Sequence, residues 1–222
     1  MFRIMGVLNV TPDSFSDGGA FLDRDAAVNH GLRLAFEGAD LLDVGGESTR
    51  PGADPVSERD ELDRVIPVIE GIRARNRAVR ISIDTSKSAV AAAALDAGAD
   101  YVNDVTALRG DPGMAALVAD RGVDVCLMHM LGTPRTMQAE ARYDDVVADV
   151  KVFLEERIEA AVAAGIALER IEVDPGIWFA KTIDHNLELL GRLRELTALG
   201  RPIVLGTSRK SFLGAITWQT SP

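Results

Sequence analysis

Apolar residues gather in seven short runs along the chain, and each run stops at a polar residue able to bind a ligand or do chemistry. The runs cover 3–10, 41–46, 80–84, 101–105, 124–130, 171–174 and 202–206. They end at Asn9, at Asp43 and Glu47 to Arg50, at Asp84, at Asn103 and Asp104, at His129, at Asp174, and at Ser208 to Lys210. The runs read as continuously apolar rather than alternating, the pattern of strands in a parallel sheet covered by helices. Between them lie stretches of helical periodicity at 25–39, 58–75, 88–97, 113–121, 144–164 and 186–199. In the last, Leu187, Leu190, Leu193 and Leu196 recur at helical spacing and predict one buried stripe. Glycines at 38, 98, 122, 165 and 200 follow the helical stretches, where a residue tolerating positive φ ends the last turn.

Repeated strand–helix units fit either an α/β barrel or a doubly wound sheet. In a barrel every strand aims its carboxyl end into one shared mouth, whereas an open sheet concentrates its ligand groups at a switch point. Polar termini on all seven runs favour the barrel.

Composition adds limits rather than a function. The 222 residues read as one domain, 1–222, with no linker or charge block dividing them. With 24 basic against 34 acidic side chains, a nucleic-acid surface is not expected, although a local cationic pocket remains open. No run is long enough to span a membrane and the start lacks a secretory layout, so a cytoplasmic location is the expectation. The lone Cys126 reads as a core residue. No His/Cys cluster suggests zinc.

Several loops carry candidate chemistry. The stretch from Asn9 to Gly19 is rich in Asn, Thr, Ser, Asp and Gly, which suits an Asx-type turn as well as a site for a hard cation or a phosphate. Gly45 to Gly52 places Arg50 among small residues, suited to bidentate capture of phosphate or carboxylate, or to plain solvation. Asp84, Asn103 and Asp174 could each serve a helix terminus. Together, at equivalent strand ends, they form an acceptor set for a heterocycle rich in N–H donors. Ser208 to Phe212 puts Arg209 and Lys210 beside a helix start, a place for an anion or an electron-rich ring. His129 alone reads as a packing or supporting residue.

These motifs, taken in order, resemble the dihydropteroate synthase family over essentially the whole chain. They are Asn-Val-Thr-Pro-Asp-Ser-Phe-Ser-Asp-Gly-Gly from Asn9, Gly-Gly-Glu-Ser-Thr-Arg-Pro-Gly from Gly45, Ser-Ile-Asp-Thr from Ser82, Asn-Asp-Val from Asn103, Leu-Met-His-Met from Leu127, Asp-Pro-Gly from Asp174, and Ser-Arg-Lys-Ser-Phe-Leu-Gly from Ser208. The resemblance implies a TIM (β/α)8-type barrel and a transferase of folate biosynthesis. Such an enzyme joins 4-aminobenzoate to 6-hydroxymethyl-7,8-dihydropterin pyrophosphate and releases pyrophosphate with Mg²⁺ assistance. It further implies that Asp84, Asn103, Asp174 and Lys210 meet the pterin, with Val105 and Met128 along its ring. Asn9 would meet Mg²⁺ and pyrophosphate, and Thr49, Arg50, Pro51, Phe179 and Ser208 would surround the aminobenzoate. Asp84, Asp174, Lys210 and Arg50 would carry the catalysis, in a homodimer.

Two departures qualify the resemblance. Trp178 stands where the family usually has a glycine, so its indole either crowds the aminobenzoate pocket or turns outward onto a helix. The chain also stops shortly after Phe212-Leu-Gly, before the family's eighth strand, its Arg-x-His motif and the final helix. It therefore reads as a truncated barrel of seven βα units whose open edges invite self-association and poor solubility. Two other readings stay open, a pterin-binding homologue without synthase activity and a folate-dependent methyltransferase of the same barrel type.

Overall fold

The computed structural model describes residues 2–11, 20–48, 53–132, 137, 141–208 and 210. Six strands, β1 (Met5–Asn9), β2 (Leu41–Gly45), β3 (Arg80–Asp84), β4 (Tyr101–Asp104), β5 (Asp124–Met128) and β6 (Ile171–Asp174), alternate with helices α1 (Ala20–Phe36), α2 (Glu58–Arg75), α3 (Ser88–Asp96), α4 (Met114–Arg121), α5 (Val146–Ala163) and α6 (Ile183–Gly191). All strand pairs are parallel and follow chain order from β1 to β6. This is the βα progression of a (β/α)8-type barrel, with a six-stranded sheet among the described residues.

The strands are not uniformly apolar, as the runs suggested; their two faces differ. One face carries Leu8, Leu42, Val44, Ile81, Ile83, Val102, Val125, Leu127 and Ile171, all buried in the main core against the helices. The other face is largely polar and stacks in layers set by the register, as inward residues do in a barrel. At the carboxyl rim, Asn9 pairs with Gly45, Gly45 with Asp84 and Asp84 with Asn103; on the far side Met128 pairs with Asp174. Below the rim, Val7 pairs with Asp43, Asp43 with Ser82, Ser82 with Tyr101, and Cys126 with Glu172. Cys126 thus sits inside the barrel, packed with Leu41, Tyr101, Met5 and Val204.

The sheet curls until its ends meet. Arg3, just before β1, bonds Glu172 on β6, and Glu172 also accepts from the Tyr101 hydroxyl at 3.1 Å. The seventh strand expected at 202–206 is reduced to one bridge between Val173 and Ile203, made by Val173 N–H to Pro202 O (3.0 Å) and Val204 N–H to Val173 O (2.8 Å). Among the described residues the ladder stays open, and a side-chain bridge spans the gap.

The helix expected at 186–199 is divided. α6 ends at Gly191, and a 3-10 helix covers Leu193–Leu199. The predicted leucine stripe therefore shifts. Leu189 and Leu196 are fully buried, whereas Leu187 is exposed, because the buried face of α6 runs through Asn186 and Leu189. The glycines expected to end helical stretches, at 38, 98, 122, 165 and 200, all have positive φ.

Candidate active site

The rim is built by loops that leave each strand end. After β2, Arg64 donates to Gly46 O at 2.8 Å, and Lys87 pairs with both Glu47 and the buried Glu61. This brackets the start of the loop carrying Thr49, Arg50 and Pro51, which lie outside the described residues. Gly45 leaves room for its neighbour, since a Cβ there would lie 3.3 Å from Asp84 Oδ2. After β4, Asp104 accepts from Thr106 N–H (2.8 Å), the Thr106 hydroxyl (2.7 Å) and Leu108 N–H (2.9 Å), fixing the turn that presents Val105.

The loop after β6 is wound tightly. Asp174 Oδ1 accepts from Gly176 N–H at 2.7 Å, and His129 N–H donates to Asp174 O at 2.9 Å. Gly176 has φ 67°, and a Cβ on it would lie 1.9 Å from His129 O. Lys181, wholly buried, donates to Gly176 O (3.0 Å), Phe179 O (2.9 Å) and His129 Nδ1 (2.9 Å). That knot holds Phe179 with Val105, Met128, Met130 and Ala180 in an apolar patch. Lys210 Nζ stands 4.3 Å over the Phe179 ring, a cation–π contact.

Trp178 takes the outward alternative. Its backbone N–H donates to Asn186 Oδ1 at 2.6 Å, and its side chain packs on the cluster of Val146, Val150, Val173, Ile177 and Leu189 between α5 and α6. His129 is a buried neighbour of the site, edge-on to Phe153 with ring centroids 4.8 Å apart.

Electrostatics single out the same residues. Burial, then the nearby Asp43 carboxylate, pushes Asp84 well above the usual carboxylate range. Burial raises Asp174 to about 6, against the opposing pull of Gly176 N–H, Lys210 and Lys181. Burial lowers Lys210, while the charges of Asp174 and then Asp84 act to raise it. Perturbed groups at neighbouring strand ends are candidates for a ligand site.

The structure brings together Asp84, Asn103, Val105, Met128, Asp174, Phe179 and Lys210 from four strand ends and the chain after β6. Asn9 lies exposed at the end of β1, beside Gly45, and Ser208 lies exposed two residues before Lys210. Asp43 entered the sequence reading only as the polar end of the second run, and Lys181 was given no role. Both support rim residues from below, and the signal for Asp43 was its position two residues before Gly45 on the same strand face.

The profile of the pterin binding enzyme family matches residues 5–222. The dihydropteroate synthase of Mycobacterium leprae is 51% identical over 219 residues, covering 96% of this chain and 75% of that one. The chain belongs to the dihydropteroate synthase family of pterin-binding enzymes. Escherichia coli dihydropteroate synthase is 48% identical over 214 residues, again across 96% of this chain and 75% of its own length. Among solved structures, Xanthomonas albilineans dihydropteroate synthase with 4-aminobenzoic acid superimposes with a TM-score of 0.91 at 53% identity, over 98% of this chain and 77% of that one. The same enzyme in complex with 7,8-dihydropteroate gives 0.86 at 49% identity, over 98% and 76% of the two chains. The chain thus spans about three quarters of these family members.

Proposed function

We propose that this family member is a transferase that joins the amino group of 4-aminobenzoate to the methylene of 6-hydroxymethyl-7,8-dihydropterin pyrophosphate, giving 7,8-dihydropteroate and pyrophosphate. The observation that carries this reading is the register that sets Asp84 beside Asn103 and Asp174 beside Met128, with Lys210 over the Phe179 ring of the loop after β6. A pterin offers ring N–H and amino donors along one edge, and two carboxylates plus an amide oxygen supply matching acceptors. Val105 and Met128 supply an apolar wall for the ring plane. Phe179, with Thr49, Arg50, Pro51 and Ser208, would surround the aminobenzoate.

In the reaction the C–O bond to pyrophosphate breaks, its electron pair leaves with the pyrophosphate, and the amine nitrogen bonds to the methylene carbon and loses a proton. Positive charge develops on the methylene and ring, where Asp84 and Asp174 stabilise it more than they stabilise the ground state. No covalent enzyme intermediate is required.

Asn9 supplies a neutral amide oxygen at the rim, and among the described residues no group of three His, Cys, Asp or Glu could hold an ion. That donor set fits Mg²⁺ taking most of its oxygens from the substrate's pyrophosphate and water. The ion, when bound, would neutralise charge on the leaving group, and Asn9 would hold and orient it. The Mg²⁺ requirement and a homodimer rest on the family resemblance, and a cytoplasmic location on the reading of the sequence. Among the described residues no helix is long and apolar enough to cross a membrane.

Calorimetry with the pterin pyrophosphate, followed by a pyrophosphate-release assay with aminobenzoate, tests the proposal. Saturable binding and aminobenzoate-dependent release are expected. Binding without release would leave a pterin-binding homologue, and neither would refute the reading.

A further inference from the structure

Asp43 lies one layer beneath the rim and is only 5% exposed. Its Oδ2 accepts from Asn103 Nδ2 at 3.0 Å, reaching from β2 past β3 to β4. Asn103, unlike Asp84 and Asp174, is ambivalent: one end of its amide donates and the other accepts. A carboxylate can only accept. With Asp43 Oδ2 accepting beneath it, the amide turns its NH₂ downward, which leaves Oδ1 as the atom presented to the mouth. An amide with no such partner could flip and offer a donor, opposing the donor-rich edge of a bound heterocycle. Such a mismatch is costly in a site that excludes water.

We propose that Asp43 is a positioning residue that locks the Asn103 amide with its oxygen toward the mouth, so that Asn103 presents an acceptor to the ligand. The proposal rests on the pterin reading above and extends it to the residue that sets selectivity for donor-rich rings. Register supports it, since Asp43, Ser82 and Tyr101 form the layer directly under Gly45, Asp84 and Asn103. Asp43 also raises the proton affinity of Asp84, so replacing it acts on two rim residues, and the test must separate them.

Asp43→Asn keeps the shape but can turn either a donor or an acceptor toward Asn103. The cycle measures affinity for 6-hydroxymethyl-7,8-dihydropterin pyrophosphate in the full chain, Asp43→Asn, Asn103→Ala and the double variant. We expect Asp43→Asn to weaken binding at least about tenfold alone and less than about twofold on top of Asn103→Ala, the non-additivity of residues acting as one unit. The KM for aminobenzoate should stay within about twofold of normal, because uniform binding of that substrate is untouched. An equal loss in both backgrounds would assign Asp43 a structural role or an effect through Asp84 alone, and would overturn the proposal. If the variants do not fold, hydrogen exchange of the Asn103 side-chain amide in the unaltered chain decides. Slow exchange supports the lock, and fast exchange sinks it. Failure of the unaltered chain to bind the pterin would instead refute the functional reading, while the amide exchange still reports on the pair.

Discussion

Lys181 Nζ lies 2.9 Å from His129 Nδ1, with no part of Lys181 open to solvent. Burial lowers the lysine to about 7, and burial together with the lysine's charge lowers His129 to about 2, so the imidazole is neutral and accepts at Nδ1. The contact ties the end of β5 to the loop that carries Asp174 and Phe179. A methionine at 181 would fill the space and leave Gly176 O, Phe179 O and His129 Nδ1 without their donor. Lys181→Met should cost about 2–4 kcal/mol in stability, in line with orphaned buried acceptors. Urea unfolding would measure it; a loss below half a kcal/mol would show the knot to be dispensable.

The same loop depends on one glycine. At Gly176 the backbone is left-handed, and any Cβ would fall 1.9 Å from His129 O, a backbone atom that cannot rotate away. Gly176→Ala is expected to lose at least about 3 kcal/mol or to prevent folding, since the loop or β5 must move. An alanine variant melting within two degrees of the parent would contradict this geometry.

Trp178 packs outward on α5 and α6. Trp178→Ala should therefore lower stability by about 1–3 kcal/mol through lost apolar burial. It should leave the aminobenzoate KM unchanged. A large shift in that KM with little loss of stability would place the indole in the substrate pocket after all.

The Asp174 carboxyl titrates at about 6, against 3.8 when unperturbed, because burial disfavours its charge. Its carboxylate form is the one that accepts from the pterin and stabilises developing positive charge. Turnover per free enzyme, kcat/KM, should therefore fall about tenfold per pH unit below 6 and level off above it. The folded state binds this proton more tightly than the unfolded chain, so the group's contribution to stability declines as pH rises from about 4 to about 6. Asp174→Asn should abolish this acid limb, along with orders of magnitude in turnover. Persistence of an unchanged limb in that variant would assign it to another group.

Much of this arrangement was legible in the amino-acid order. Strand ends at Asn9, Asp84, Asn103 and Asp174 were marked by abrupt changes from apolar to polar, because a buried parallel strand tolerates polarity chiefly where it meets the mouth. What escaped was the alternation within strands. Ser82, Tyr101 and Glu172 sit among apolar neighbours, and only the register reveals that they share a polar interior layer with Asp43, which the sequence marked as a run end. Lys181 escaped for a related reason: its three acceptors are backbone oxygens and a histidine ring, and their convergence depends on the loop's winding. The seventh run contracted to a single bridge at Ile203, since a strand's length depends on partners that local pattern does not specify. Thr49, Arg50 and Pro51 remain assigned by resemblance.

A crystal structure of this chain with 6-hydroxymethyl-7,8-dihydropterin pyrophosphate tests the central claim most directly. The account predicts the ring lying between Asp84, Asn103, Asp174 and Lys210, each within hydrogen-bond reach, with Met128 and Val105 against its plane. A pterin bound elsewhere, or oriented with its ring nitrogens away from Asp84 and Asp174, would contradict it.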